Sequence, residues 1–152
     1  MLLRRVAHSG GDWQDESRGF RFANVTLTDP DAHAVTLQHP AVIYFFKEEC
    51  SPCSDARTRL NAFVHRSVGA GLAVYAITND STILRRDEAR FGPGIRVARL
   101  TKANALLRFF RYIPALVRTD SAGRVLRTYV GIPKGPVFNE VWHPREANFS
   151  DR

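Results

Sequence analysis

The sequence is short of the residues that build structural metal sites. Only two of its 152 residues are cysteine, at positions 50 and 53, and no second CxxC is present. The histidines form no pair three to five residues apart: they are His8, His33, His39, His65 and His143. Because a structural zinc site takes about four Cys or His ligands at such spacings, the sequence predicts no metal site.

Long apolar runs are also missing. No stretch reaches the 18 or so consecutive apolar residues that a transmembrane helix needs, so no transmembrane segment is expected. The start, MLLRRVAHSGGDW, turns polar too soon to hold the apolar segment of a signal peptide. Two compartments stay open: the cytoplasm for the chain as it stands, and a periplasmic or other extracytoplasmic location if a leader was removed.

Lysine is scarce, although the chain is basic. The net charge is +7, and 19 of the 22 basic residues are arginines scattered along the sequence. A scattered charge, with no motif of interleaved base-stacking aromatics, does not favour nucleic-acid binding. No nucleic-acid partner is therefore expected.

The apolar content is sufficient for one domain with a sizeable core, since 44% of the residues are hydrophobic. Residues 1–21 show no sustained apolar period, which predicts a flexible N-terminal arm. Residues 22–141 are predicted to form the domain. Residues 142–152 are predicted to be a C-terminal tail.

The first half of the domain alternates strand and helix patterns. FRFANVTL and AVTL, separated by the turn residues TDPDAH, predict a hairpin. The continuous apolar runs AVIYFF at 41–46 and GLAVYAIT at 71–78 predict buried strands. Apolar residues recur at helical spacing after Pro52, and 81–92 forms a second helical pattern. This order predicts a parallel sheet with right-handed crossovers.

The second half predicts a different connection. IRVARL at 95–100 is extended, and residues 101–112 have a helical pattern. ALVRT and RVLRTYV flank DSAG, whose turn chemistry predicts a hairpin with Gly123 in a left-handed conformation. Three prolines near the C-terminus leave room only for a short helix around 137–141.

The cysteine pair allows four interpretations: a metal site, two buried thiols, a structural disulfide, or redox exchange. A disulfide across so short a loop would restrict the unfolded chain little. Redox exchange fits the context, because Cys50 follows a strand and lies near the start of a helix, where backbone N–H groups and the helix dipole favour a thiolate. Cys50 would then be the nucleophile and Cys53 the resolving thiol. Pro52 suits an early helical position.

Four segments together carry a family resemblance: FANVTLTDPDAHAVTL, AVIYFFKEECSPC, GLAVYAITND and YIPALVRTDSAGRVLRTYVG. From about Phe22 to Gly131 the chain resembles the AhpC/TSA-related thiol:disulfide oxidoreductases of the TlpA/ResA type, in the thioredoxin superfamily. The resemblance implies an α/β, thioredoxin-like fold. It has a central mixed sheet flanked by helices, an N-terminal β-hairpin and a central βα insertion.

The resemblance also implies the chemistry and its partners. A redox-active Cys50–Cys53 disulfide would serve without any other cofactor, and the Ile113–Pro114 peptide bond would be cis beside it. The partners would be a protein dithiol or disulfide and an upstream electron donor, and the chain would be a monomer. Cys50 and Cys53 are the predicted catalytic residues. The predicted substrate-binding or supporting residues are Ser51, Pro52, Ile113, Pro114, Glu49 and Tyr44.

Two of these positions depart from the family. Glu49 stands where such proteins usually have tryptophan before the first cysteine. Tyr44 stands where thioredoxins often have a buried aspartate that assists proton transfer. A thiolate favoured mainly by the helix terminus suits a reductant better than a strong oxidant.

Two alternative functions remain at this point. A peroxiredoxin-like thiol peroxidase would share the hairpin and the FFxxxC spacing, but Lys47 and Ile43 replace that family's threonine and proline. A non-enzymatic thioredoxin-like module would use the two thiolates to hold Cu(I). The sequence favours dithiol exchange over both.

Overall fold

The structure, a computed structural model, describes residues 20–22, 25, 27–47, 51–66, 71–79, 89–100, 109–111 and 113–131. Cys50 and Glu49 lie outside these residues. So do the short helix predicted at 137–141 and most of those predicted at 81–92 and 101–112. The division into arm, domain and tail stays a prediction.

Seven strands form one mixed sheet in the order β2-β1-β5-β4-β3-β6-β7. In chain order the strands are β1 Leu27–Thr28, β2 Ala34–Val35, β3 Ala41–Phe46, β4 Ala73–Thr78, β5 Ile95–Leu100, β6 Ala115–Thr119 and β7 Val125–Val130. Helix α1, Ser51–Arg66, lies between β3 and β4 in the chain. Among the described residues, no helix is long and apolar enough to span a membrane.

The centre of the sheet is parallel, as the alternation of strand and helix patterns predicts. β3 pairs in parallel with β4, and β4 with β5. All six residues of β3 are buried. Such a strand, covered on both faces, needs the continuous apolar run that AVIYFF provides.

The predicted hairpin of the second half is also present. β6 and β7 are antiparallel, and β6 pairs antiparallel with β3 on its other side. Gly123 in the turn has φ +82°, and a Cβ built there would lie 3.1 Å from Cδ2 of His39. Both the backbone conformation and the lack of space therefore require glycine at this position.

Each face of the sheet has its own core. The face under α1 joins Tyr44 and Phe46 of β3 to Ala56 and Leu60 of the helix. The opposite face is rich in aromatic rings, which include Phe20, Phe22, Phe45, Phe109 and Phe110. We call these the helix-side core and the aromatic core.

The N-terminal hairpin is shorter than the sequence predicts. Leu27–Thr28 pairs with Ala34–Val35 and also with β5. Arg21 forms an isolated antiparallel bridge with Arg124, next to β7. Phe22 and Val25, between the bridge at Arg21 and strand β1, pack into the aromatic core and are not part of a strand. The chain therefore lies beside β7 at Arg21 and beside β5 at Leu27, and these two pairings do not belong to one long strand.

Candidate functional site

The candidate site lies where strand β3 ends and helix α1 begins. β3 ends at Phe46 and α1 starts at Ser51, so Cys50 directly precedes the first helical residue. Lys47, in this connection, is partly buried. The strand thus delivers the CxxC segment to the C-terminal edge of the parallel strands, where open α/β sheets bind their ligands.

The first turn of α1 is electrostatically suited to a thiolate. Cys53 and Pro52 lie within it, and it contains no acidic residue. The unpaired N–H groups of such a turn carry the positive end of the helix dipole. Pro52 costs no hydrogen bond there, because its missing N–H would have had no partner within the helix.

Pro114 lies beside the end of β3. Phe45 pairs with Ala115, so the next position along the antiparallel ladder places Pro114 alongside Phe46. The Ile113–Pro114 peptide bond is cis, the conformation expected from the resemblance. The carbonyl oxygen of Pro114 accepts a hydrogen bond from the N–H of Gly131, which ties this segment to the end of β7.

Ile113 presents its backbone at the same edge. Its side chain is partly buried against the aromatic core. Within the described part of the chain, its N–H and C=O make no hydrogen bond. A backbone in this state can pair with an extended segment of another chain.

Asn79 is a candidate that the sequence analysis missed. It directly follows β4, and the pairing of Phe46 with Thr78 places it level with Lys47. Its Oδ1 atom is buried and accepts no hydrogen bond from any residue that the structure describes. One sequence feature could have pointed to Asn79: it is a polar residue directly after the buried strand predicted next to the CxxC strand. The carboxyl ends of neighbouring parallel strands meet at one edge of the sheet, so such a residue is expected near the CxxC.

Tyr44 lies beneath the helix rather than at its surface. It is fully buried in the helix-side core and stacks on Phe46, with ring centroids 5.7 Å apart. Burial raises the pKa of Tyr44 well above its usual range, and the positive charge of Arg57 opposes this only in part. The hydroxyl therefore stays protonated near neutral pH and cannot take up a proton as a buried carboxylate would.

The structure brings most of the predicted site residues together at one edge. Ser51, Pro52 and Cys53 begin the helix, and Ile113 and Pro114 lie alongside the strand that leads to it. Tyr44 belongs to the core below them. The catalytic and substrate-binding roles of these positions stay predictions.

A group of ligand-type side chains lies elsewhere, in the turn between β1 and β2. Atoms of Asp29, Asp31 and His33 lie within 4.8 Å of one another. Asp29 Oδ1 accepts hydrogen bonds from the N–H groups of Asp31 and His33, at 2.9 Å each. These bonds lower the pKa of Asp29. They are the bonds of an Asx-type turn, which explains the cluster without a ligand.

Comparison with known proteins identifies the fold. Neither a family sequence model nor a curated protein sequence matches the chain. Solved structures do match. The thioredoxin domain of a thiol-disulfide oxidoreductase from Bacteroides vulgatus aligns with a TM-score of 0.62 at 17% identity, covering 82% of this chain and 94% of that one.

Two further structures agree. A thiol:disulfide interchange protein from Bacteroides sp. aligns with a TM-score of 0.62 at 16% identity, covering 84% of this chain and 89% of that one. A thio-disulfide isomerase from Thermus thermophilus aligns with a TM-score of 0.56 at 20% identity, covering 80% and 91%. The chain therefore has the thioredoxin-like fold that the resemblance implies.

Proposed function

We propose that the chain is a thiol:disulfide oxidoreductase that exchanges its Cys50–Cys53 pair with a protein partner. The observation that carries the proposal is the position of the CxxC at the end of β3 and the start of α1, with Pro114 alongside. The fold shared with named thiol:disulfide proteins supports it. Fold alone would not suffice, because one fold hosts many functions.

The reaction follows from the order of the two thiols. The Cys50 thiolate attacks one sulfur of a partner disulfide, and the second partner sulfur leaves as a thiolate. The Cys53 thiolate then attacks the Cys50 sulfur, which releases the reduced partner and leaves a Cys50–Cys53 disulfide. Two electrons pass to the partner in this direction, and an upstream dithiol donor restores the reduced pair.

The partner segment is expected to lie across the end of β3. Ile113 offers an unpaired backbone on one side of this strand, and Asn79, a partly buried residue on the other side, can rotate its buried, unpaired Oδ1 toward the partner. The strand order β4-β3-β6 separates these positions by two strand spacings, roughly 10 Å. An extended peptide spans this distance with about three residues.

The decisive experiment substitutes each cysteine in turn. Cys53→Ser is expected to trap a mixed disulfide between Cys50 and a protein substrate, visible by mass spectrometry. Cys50→Ala is expected to lose disulfide-reductase activity. The matched control is Thr58→Ala, at an exposed position of the same helix, which keeps activity. Reductase activity retained by Cys50→Ala would contradict the proposal.

The direction of electron flow is a separate part of the proposal. The sequence favours a reductant, so the couple is expected near the potential of thioredoxin, roughly −270 mV. Equilibration with a glutathione or dithiothreitol redox buffer measures it. A value near that of DsbA, about −120 mV, would make the chain an oxidant instead.

The alternative functions give different readouts with the same protein. A thiol peroxidase would consume hydrogen peroxide with a supplied dithiol and form a sulfenic acid at Cys50. A Cu(I) module would bind the ion tightly when reduced and lose it when both cysteines are replaced. The proposed exchange predicts protein disulfide reduction that far exceeds peroxide turnover.

A further inference from the structure

Two arginines face each other at the end of the sheet away from the candidate site. Arg21 and Arg124 are directly opposite in an antiparallel bridge. The N–H of Phe22 donates to Gly123 O at 2.9 Å, and the N–H of Val125 donates to Phe20 O at 2.8 Å. Flanking bonds of this kind make Arg21 and Arg124 a non-hydrogen-bonded pair, in which the two Cα atoms are only about 4.5 Å apart.

A second pair of arginines lies on the same side of the hairpin. Arg118 of β6 pairs with Arg127 of β7. Their neighbours two positions along, Leu116 and Tyr129, pack in the helix-side core, so these arginines share that face. Side chains alternate along a strand, and Val125 lies in the aromatic core, so Arg124 also faces the helix side.

Arg21 follows the same rule, because Phe20 and Phe22 on either side of it pack in the aromatic core. Four arginines therefore lie on one corner of the helix-side face. We call this group the arginine corner: Arg21, Arg118, Arg124 and Arg127. Arg118 is buried and its guanidinium donates to Thr119 O, so the exposed surface of the corner consists of Arg21, Arg124 and Arg127.

This arrangement is unfavourable for the isolated chain. Like charges directly opposite each other in an antiparallel pair destabilise a sheet. Arg21 and Arg124 are both exposed, and neither makes an ion pair with a residue that the structure describes. Asp120, the only acidic residue of 113–131, accepts the N–H groups of Ala122 and Arg124 with its Oδ1, and its negative charge acts on the buried Arg118.

We propose that the arginine corner docks an acidic segment of a protein partner. The exposed guanidinium groups of Arg21 and Arg124 can each bind a carboxylate with two parallel hydrogen bonds, and because these arginines lie opposite each other they can also share one. An open surface of this kind suits several carboxylates of one segment better than a small ion.

The burial of the aromatic rings near the arginine corner favours a protein partner over a nucleic acid. Single-stranded nucleic acids bind through bases stacked on exposed rings. Phe20 and Phe22 belong to the other face, where Phe22 is buried and Phe20 partly buried, and Tyr129 is partly buried as well. Within the part of the chain that the structure describes, the corner therefore offers charge without an exposed ring for stacking.

The corner is separate from the candidate redox site. Pro114 and Asp120 lie at opposite ends of β6, roughly 20 Å apart at about 3.3 Å per residue. An acidic segment bound at the corner would leave the edge near Cys50 open. The inference therefore does not depend on the proposed exchange reaction.

The test measures binding of a fluorescein-labelled oligo-glutamate peptide to the full chain by fluorescence anisotropy at low and physiological salt. The double variant Arg21→Gln with Arg124→Gln is expected to raise the Kd about tenfold at low salt, since two charge-assisted contacts are lost. The matched control is Arg96→Gln, an exposed arginine on β5. β5 lies four strand spacings from β7, roughly 19 Å away.

Three results would overturn the inference. A roughly threefold rise in Kd with Arg96→Gln, which removes one charge where the double variant removes two, would mean that the peptide senses only the net charge. A loss of stability in the double variant would mean that the pair is held by contacts within the chain, since removal of like-charge repulsion should leave the unfolding midpoint unchanged or raised. Tighter binding of a single-stranded oligonucleotide of equal charge, lost in the double variant, would assign the corner to nucleic acid.

Discussion

The two ends of the central strands each bury a side-chain oxygen, and the two oxygens differ in whether they have hydrogen-bond partners. At the start of β3, Thr119 Oγ1 accepts the N–H of Ala41 at 3.0 Å and lies 2.7 Å from Nδ1 of His39. At the opposite edge, Asn79 Oδ1 is buried and accepts no hydrogen bond from the described residues. We call these the Thr119 end and the Asn79 end.

Because of this difference in hydrogen bonding, we expect the Thr119 end to contribute to stability and the Asn79 end to contribute to partner binding. A buried polar group that is paired inside the protein stabilises the fold, whereas an unpaired one costs about 1–3 kcal/mol. The Thr119 end therefore holds the sheet together. An unpaired acceptor beside the CxxC segment is consistent with a hydrogen bond that forms only when the partner is bound.

The largest effect is expected at the Thr119 end. Thr119→Val keeps the shape but removes the oxygen, which leaves the Ala41 N–H and the His39 ring nitrogen without this partner. The free energy of unfolding, measured by urea denaturation, is expected to fall by about 3 kcal/mol. The rate of disulfide exchange per folded molecule should stay the same, since the change is remote from the candidate site.

Thr119→Ser is the control, because it keeps the oxygen and removes one methyl group. Its cost is expected to be about 1 kcal/mol, the usual loss for one buried methyl. Equal losses in the serine and valine variants would show that packing, and not the hydroxyl, stabilises this end.

At the Asn79 end a smaller effect is expected, on the rate of disulfide exchange instead of on stability. Asn79→Ala removes the proposed acceptor for the partner backbone. The rate constant for a protein disulfide substrate is expected to fall about tenfold, which corresponds to one hydrogen bond of about 1.4 kcal/mol. The unfolding free energy should stay the same or rise, because the change removes a buried oxygen that has no hydrogen-bond partner in the described residues. Exchange with a small aromatic disulfide, which has no backbone N–H, should be unaffected.

Asn61 provides the matched asparagine. Its Nδ2 donates to Arg90 O, and its Oδ1 accepts the N–H of Gly92, both at 2.9 Å. Asn61→Ala should therefore lower stability and leave exchange unchanged, the reverse of Asn79→Ala. If Asn79→Ala behaves like Asn61→Ala, the unpaired acceptor has no role in binding.

Local pattern was enough to predict most of the sheet and the position of the CxxC. AVIYFF and the hairpin around DSAG have unambiguous apolar runs and turn residues, and α1 begins at Ser51, next to the point after Pro52 where helical spacing of apolar residues starts. The hydrogen bond between Thr119 and Ala41 spans 78 residues, and no local pattern encodes it. The register that sets Asn79 level with Lys47 and Arg21 opposite Arg124 likewise depends on tertiary packing.

The smallest effect concerns the pH dependence of stability at the Thr119 end. Burial lowers the pKa of His39, and the negative charge of Asp120 opposes this shift. Its Nε2 atom is buried and has no hydrogen-bond partner among the described residues, so a proton there would find no acceptor. In the unfolded chain the same imidazole titrates near its ordinary pKa of about 6.5.

The sign of the pH effect follows from this difference. Just below pH 6.5 the unfolded state binds the proton and the folded state does not, so the free energy of unfolding falls as the solution is acidified from about pH 7.5 to 5.5. His39→Asn keeps a polar group near the Nδ1 position and cannot titrate, so its urea-derived stability should fall less over this range. The other four histidines are common to both proteins, so the difference between the two curves isolates His39. Parallel curves would show that this imidazole does not contribute, and a changed pH profile of disulfide exchange would show that the two ends are coupled.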